Sequence, residues 1–221
     1  MTRREVLLAV AAAALAARAE GRQATAAEDR WAADMAAFAA EDEAKPFARG
    51  GIVFVGSSSI RLWKTADAFP GSPILNRGFG GSQIPDSVRH VDRLVLRHAP
   101  RTVVFYAGDN DISAGRTPGQ VRDDFAAFVA RVHAALPTTR VAFVAIKPSL
   151  ARWALVGKVR EANALVRSMC DKDDRLGYVD VDGPMIGWDG RPRADLFVKD
   201  GLHLSQKGYD LWNVLVAPFL E

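Results

Sequence analysis

Ile52-Val53-Phe54-Val55-Gly56-Ser57-Ser58-Ser59 is the stretch from which the architecture can be read. Four β-branched or aromatic residues in a row mark a short strand, and the Gly-Ser-Ser-Ser run stops it with turn-forming residues. Outward from this point the chain alternates between strand-like and helix-like segments. Before it, Arg30 to Glu43 sets Trp31, Met35 and Phe38 at helical spacing. After it come strand candidates at Pro73 to Leu75, Thr102 to Tyr106, Val141 to Ile146 and Tyr178 to Val181. Helical stretches separate them. Ile84 to Leu96 is one, broken by His98-Ala99-Pro100, and Thr117-Pro118 opens another whose apolar face (Val121, Phe125, Phe128, Val129, Val132) ends before Pro137. Val156 to Met169 is a third. Ser205 to Phe219 closes the chain, with Ser205 as its N-cap and Leu211, Trp212, Leu215 and Val216 inward. Strands joined by helical crossovers cannot pair as hairpins, so the sequence predicts a single α/β/α sandwich around a parallel, roughly five-stranded, flavodoxin-like sheet. Such sheets bind ligands at the carboxyl ends of their strands.

A chain of 221 residues with 49% hydrophobic and 25% charged side chains has ordinary globular composition and can bury one core. Its single cysteine, Cys170, excludes an internal disulfide, so packing must supply the stability. The first residues have a different character. Arg3 and Arg4 precede an uncharged run from Val6 to Ala17, and small residues recur at Ala17, Ala19, Ala24 and Ala26. This is the layout of a signal peptide cleaved after Ala19 or Ala26, and the run is shorter than the roughly 20 apolar residues of a permanent span. Residues 1–26 are therefore expected to be a leader and 27–221 the working domain, periplasmic or secreted, with no permanent membrane anchor. Thr2-Arg3-Arg4-Glu5-Val6-Leu7 also resembles a twin-arginine export signal; an ordinary secretory leader with two adjacent arginines fits the same residues.

The formal charge of +3 does not point to nucleic acid. The segment up to Ala26 holds four arginines against two glutamates, which leaves +1 for the remainder, with both signs interspersed and no basic cluster interleaved with aromatics.

Four segments carry candidate chemistry. Ser58 stands just past the first strand, where a helical turn begins and backbone N–H groups are free; Ser59 is its rival. Asn76-Arg77-Gly78-Phe79-Gly80-Gly81-Ser82 spends three glycines around one phenylalanine, which implies unusual dihedrals or a close approach, although a structural turn accounts for it too. Gly108-Asp109-Asn110-Asp111 ends the strongest strand, where an asparagine can aim an amide N–H into the crevice or simply form a turn. In Asp200-Gly201-Leu202-His203 a carboxylate three residues before the histidine can reach its ring across a tight turn, fixing the tautomer and stabilising an imidazolium. His90, His98 and His133 lie on helical or helix-end stretches and are read as structural. The histidines and the cysteine show no ligand spacing, and Asp109, Asp111, Asp180 and Asp182 are read as serving turns and sheet ends, so no metal or cofactor is expected.

Taken together, these blocks resemble the SGNH or GDSL-type hydrolases. That family carries a nucleophilic Ser, a Gly, an Asn in Gly-x-Asn-Asp and a His in Asp-x-x-His. The resemblance matches them to Ser58, Gly81, Asn110 and His203 with Asp200, and it spans most of the chain after the leader. Ser57 stands where the family usually has Asp. Gly56-Ser57-Ser58-Ser59-Ile60-Arg61-Leu62-Trp63 and Arg77-Gly78-Phe79-Gly80-Gly81-Ser82 look like the branch described as similar to platelet-activating-factor acetylhydrolase. The resemblance implies an ester hydrolase of the SGNH fold. In it His203 deprotonates Ser58 for attack on the carbonyl, Asp200 orients His203, and Ser58 N–H, Gly81 N–H and the Asn110 amide receive the oxyanion.

Substrate identity is less legible. The chain has no long amphipathic insertion to serve as an interfacial lid, which favours a water-soluble ester with a short, acetyl-sized acyl group on a carbohydrate or cell-wall polymer. Trp63, Trp153 and Trp188 are candidates for a wall that stacks on a sugar ring; placement in the core or at the crevice rim is the alternative. A lysophospholipase or thioesterase is the second enzymatic reading, and a non-catalytic glycan-binding module is the rival from another class. A nucleotide-binding flavodoxin-like protein is disfavoured, because the first strand-to-helix turn lacks a G-x-G-x-x-G or Walker pattern.

Overall fold

The computed structural model describes residues 30–220; the expected leader lies outside them. The chain divides between Pro46 and Phe47 into two compact units. The first contains helix α1 (Ala32–Ala44), over the residues whose apolar spacing predicts it.

The second unit, Phe47–Glu221, holds the sheet and everything that follows. Its described elements run β1 (Ile52–Gly56), α2 (Ser58–Arg61), α3 (Thr65–Ala68), β2 (Ile74–Gly78), α4 (Ile84–Arg89), α5 (Val91–Leu94), β3 (Thr102–Tyr106), α6 (Asp109–Ser113), α7 (Pro118–Ala135), β4 (Arg140–Val144), α8 (Val156–Cys170), β5 (Leu176–Val179), α9 (Asp182–Met185) and α10 (Gln206–Val216). The five strands form one parallel sheet in the order β2-β1-β3-β4-β5. Chain order reverses between β1 and β3, which makes that gap the switch point where a crevice opens. Register decides what reaches it. Gly56 is level with Gly78 on one side and Tyr106 on the other, so the segments after β1, β2 and β3 leave the sheet along one edge.

Close packing of the strands demands Gly56. Its φ is +143°, and a Cβ there would lie 1.8 Å from the Tyr106 carbonyl oxygen. Only glycine lets the chain turn off β1 at that spot, and Ser57 N–H then donates to the same oxygen at 3.0 Å.

Helices seal both faces. Thr117 caps α7 through a reciprocal box with Gln120, and Val121, Phe125, Phe128 and Val132 are buried, each worth roughly 1.5–3 kcal/mol. Phe125 and Phe128 meet Phe105 of β3 at centroid distances of 5.5 and 4.5 Å. On the opposite side, Trp212 of α10 is fully buried against Tyr106 and Trp63. Ser205 does cap α10, accepting from Gly208 N–H.

Several boundaries differ from the sequence reading. β2 continues through Asn76, Arg77 and Gly78, which pair with Phe54, Val55 and Gly56 instead of starting the glycine segment. β4 ends at Val144 because Ile146 leaves the ladder; the Asn163 side chain meets its N–H at 2.8 Å and its C=O at 2.9 Å. β5 lies two residues earlier than expected. The predicted helix over 84–96 breaks at His90 into α4 and α5.

Candidate active site

Three strand ends and one late loop meet at the β1/β3 edge. Ser58, on the first residue of α2, places its Oγ 3.0 Å from His203 Nε2, across 145 residues of chain. His203 Nδ1 lies 2.6 Å from Asp200 Oδ2, while Asp200 Oδ1 accepts from the N–H groups of Leu202 (2.8 Å) and His203 (2.9 Å). A carboxylate only accepts, so Nδ1 carries the proton and Nε2 is left as acceptor for the Ser58 hydroxyl. The His203 ring N–H, followed by the two backbone donors, pulls the Asp200 carboxyl down to about 2. It therefore stays ionised at neutral pH.

The loop bearing this pair is tied down on both sides. Val198 N–H donates to His203 O at 2.9 Å, and Ala151 N–H donates to Gly201 O at 3.0 Å. Even so the pair faces solvent, with 48% of the Asp200 side chain and 31% of the His203 side chain exposed. Ser59, the rival nucleophile, is 1% exposed, and its hydroxyl accepts from Lys147 Nζ at 3.2 Å.

Asn76 and Asn110 fix the other wall. The Asn76 amide donates to the carbonyls of Ile60 (2.7 Å) and Trp63 (3.0 Å) and accepts from Gly78 N–H (2.9 Å), clamping the far end of α2 to β2. Gly81 adopts φ +75° just beyond. The Asn110 amide donates to Ser82 O at 3.0 Å, so the Gly81–Ser82 and Asn110 segments are held together.

Below this surface is a cluster that motif and spacing do not reveal. Lys147, shortly after β4, is fully buried, and its Nζ donates to Tyr106 Oη (2.9 Å), Ser59 Oγ (3.2 Å) and Asp109 Oδ2 (3.2 Å). Arg152 Nη1 pairs with the same Asp109 oxygen at 3.0 Å, and Arg152 Nη2 donates to Asn110 Oδ1 at 3.0 Å. Burial alone would raise the Asp109 carboxyl, but Lys147 and Arg152 outweigh it and hold the group below its ordinary value. Burial likewise opposes the Lys147 charge, and Asp109 and Tyr106 more than reverse that. Tyr106, with burial the main cause, is pushed up to about 12 and stays neutral. Asp109 is thus more than a turn residue. The legible signal is a lysine set directly against the apolar run Val141 to Ile146, where an unpaired charge is not tolerated. Tyr209, which no motif marks, donates to Ser59 O at 2.9 Å.

The tryptophans do not form one wall. Trp63 is 3% exposed, stacks edge-on to Phe54 at 5.2 Å and donates to Asn213 Oδ1 at 2.8 Å, which makes it a core residue with one edge on a groove. Trp153 has the guanidinium groups of Arg160 and Arg191 over its ring at 5.8 and 5.4 Å, so cations already neighbour it. Trp188 is fully exposed and lines a separate depression of about 400 Å³ with Leu150 and Arg191. The groove that does touch the site has a volume of about 670 Å³ and is lined by Leu62, Lys64, Asp67, Val198, His203 and Asn213, among others.

His133 Nε2 lies 3.0 Å from Thr139 O, and His90 and His98 make edge contacts with Phe79 and Phe47. Asp180 and Asp182 pair with Arg167 and Arg160. Among the described residues no group of three or more His, Cys, Asp or Glu side chains is placed to hold a metal, and no helix is long and apolar enough to cross a membrane.

A family model, the GDSL-like Lipase/Acylhydrolase family, matches residues 61–211, beginning three residues after Ser58. No curated protein matches the chain. Among solved structures, a protein from Streptococcus pneumoniae named for platelet activating factor aligns with a TM-score of 0.78 at 18% identity, covering 94% of this chain and 99% of its own. A GDSL-like lipase from Bacteroides thetaiotaomicron gives 0.74 at 19% identity, over 84% of this chain and 96% of its own. A carbohydrate esterase family 3 protein from Talaromyces cellulolyticus gives 0.61 at 17% identity, over 77% and 96%. At these identities the likeness is one of fold.

Proposed function

This chain belongs to the GDSL-like lipase/acylhydrolase family, a family of ester-cleaving hydrolases, and we propose that it removes short acyl groups, acetyl first among them, from carbohydrate or cell-wall esters. Ser58 is the nucleophile, His203 its base and Asp200 the group that orients the base. Ser58 attacks the ester carbonyl while Nε2 takes its proton, and the carbonyl oxygen becomes an oxyanion facing Ser58 N–H, Gly81 N–H and the Asn110 amide. The imidazolium then protonates the departing alcohol. Water, deprotonated by the same nitrogen, releases the acid and restores Ser58.

The observation that carries the reading is the Ser58–His203–Asp200 chain of contacts, 3.0 and 2.6 Å. The groove beside it supports the choice of substrate. Because His203 must deliver a proton to the leaving oxygen, the alcohol lies on the His203 side, where about 670 Å³ is open. Lys64, Asp67 and Asn213 stand among Leu62 and Val198 there, a mixture suited to a hydroxyl-bearing alcohol more than to a lipid tail. A lysophospholipid or thioester is the second enzymatic reading. Trp188 remains a candidate platform for a longer glycan, in the depression it shares with Leu150. We also propose that residues 1–26 direct export to the periplasm or beyond, which N-terminal sequencing of the secreted chain would check at Ala19 or Ala26.

An acyl-release screen of the purified protein across acetylated sugars, lysophospholipids and thioesters tests the substrate assignment. Acetylated sugars and p-nitrophenyl acetate should turn over fastest, with Ser58→Ala inactive on all. Preference for lysophospholipids or long acyl chains would replace the substrate class; full activity in Ser58→Ala would end the mechanism.

A further inference from the structure

We infer that Arg152 is a positioning residue that sets the Asn110 amide for oxyanion binding, and that the buried Lys147–Asp109 pair holds Arg152 in place. The inference rests on the serine-hydrolase reading above and adds to it a component that no motif contains.

An asparagine amide has two ends of similar shape and opposite function. Turned one way it offers N–H to a developing oxyanion; turned the other way it offers a carbonyl oxygen and repels it. Two contacts select the same orientation. Ser82 O can only accept, so it takes Asn110 Nδ2 at 3.0 Å. Arg152 can only donate, so it takes Asn110 Oδ1 at 3.0 Å. With one N–H spent on Ser82, the second N–H of Nδ2 is left for substrate.

Arg152 needs support of its own, because it stands on the loop after β4, and its side chain is 21% exposed. Asp109 supplies that support at 3.0 Å, and Asp109 sits next to Asn110 in the chain. Asp109 in turn is anchored by Lys147, which also reaches Ser59, the neighbour of the nucleophile. The backbone that presents Ser58 N–H and the side chain that presents Asn110 N–H are thus tied to one buried ammonium. The cavity against Asp109, Lys147 and Arg152 measures about 10 Å³, near the lower limit for a single water, so Lys147 and Asp109 meet in a nearly dry setting.

A double-mutant cycle distinguishes positioning from simple bracing of the loop. The readouts are the phosphonylation rate of the full chain by a fluorophosphonate probe, which expels fluoride as Ser58 Oγ bonds to phosphorus, and kcat and KM on p-nitrophenyl acetate. Arg152→Ala alone should slow labelling and lower kcat by about 10- to 50-fold with KM nearly unchanged. In an Asn110→Ala background the same change should cost less than about 2-fold, because the group it acts through is gone. Arg152→Lys keeps the charge but cannot reach both partners as a planar fork, and should fall between the two. Thermal unfolding of each variant identifies any that fail to fold, and the Lys variant then carries the cycle. Equal losses in both backgrounds, or no loss in either, would overturn the inference while leaving the serine mechanism intact. Labelling that persists in Ser58→Ala would show that the mechanism itself is wrong, and the inference falls with it.

Discussion

Two hydrogen-bonded pairs stand beside Ser58 and Ser59, and they have opposite surroundings. Asp200 and His203 lie on an exposed loop, while Lys147 is sealed from solvent beside an Asp109 that is 10% exposed. An exposed pair in high dielectric is weak as a structural bond, but it can exchange a proton with substrate and water at each turnover. A buried pair cannot change charge without large cost, so it serves as a fixed frame. Under the proposed mechanism, the exposed pair moves protons and the buried pair holds geometry.

Breaking the exposed pair should stop chemistry without unfolding the protein. His203→Ala is expected to lower kcat by about 10⁴-fold or more, with thermal stability within a few degrees of the parent, as paired kinetics and calorimetry would reveal. Loss of fold in this variant would mean that the loop braces the domain and the division of labour is wrong. Breaking the buried pair should first cost stability, and kcat should fall with it as Arg152 loses its support. Lys147→Met strands the Asp109 charge with Arg152 alone and should cost about 3–5 kcal/mol of stability in denaturant titration. A stability change under about 1 kcal/mol would show that the pair is no frame.

Asn110 sits where the two regions touch. Asn110→Ala should fold normally and lose about 10²- to 10³-fold in kcat, with little change in KM. Asp111 sharpens the contrast through pH. It is fully buried, accepts from Ile84 N–H at 3.0 Å, and burial lifts its carboxyl to about 7. An unfolded chain releases this proton near pH 4. Between about pH 4 and 7 the folded protein therefore holds a proton that the unfolded one has lost, and stability falls as pH rises through that window. Asp111→Asn removes the penalty and keeps the acceptor, so its melting temperature relative to the parent should climb by on the order of 10 °C from about pH 4 to about pH 8. A constant difference across that range would contradict the assignment.

The sheet and the reacting groups were legible to different depths. Ile52 to Val55 and Thr102 to Tyr106 announce themselves because buried parallel strands are runs of β-branched and aromatic residues, and the alternation with helical segments dictates parallel pairing. Asn76-Arg77-Gly78 concealed the end of β2, since its pairing depends on Phe54 to Gly56 across the sheet and not on its own composition. Asp200 and His203 are close in sequence, so their contact can be foreseen from a tight turn. Lys147, Arg152 and Asp109 come from segments up to 43 residues apart, and only the order β1-β3-β4 brings them under Asn110. Trp63 could not be placed from sequence for a related reason: whether an indole faces a groove or a core is set by its tertiary neighbours, and Trp63 has Phe54, Phe69, Tyr209 and Trp212 around it.

Every role given to the surrounding residues depends on the Ser58 hydroxyl forming the bond to the acyl group. Rapid acid quenching of the protein during turnover of p-nitrophenyl acetate, followed by proteolysis and fragment-ion mass spectrometry, observes that bond directly. One acetyl group is expected, located on Ser58 and absent from His203→Ala quenched at the same time. Acetyl on Ser59, or turnover with no acylated serine at any quench time, would contradict it.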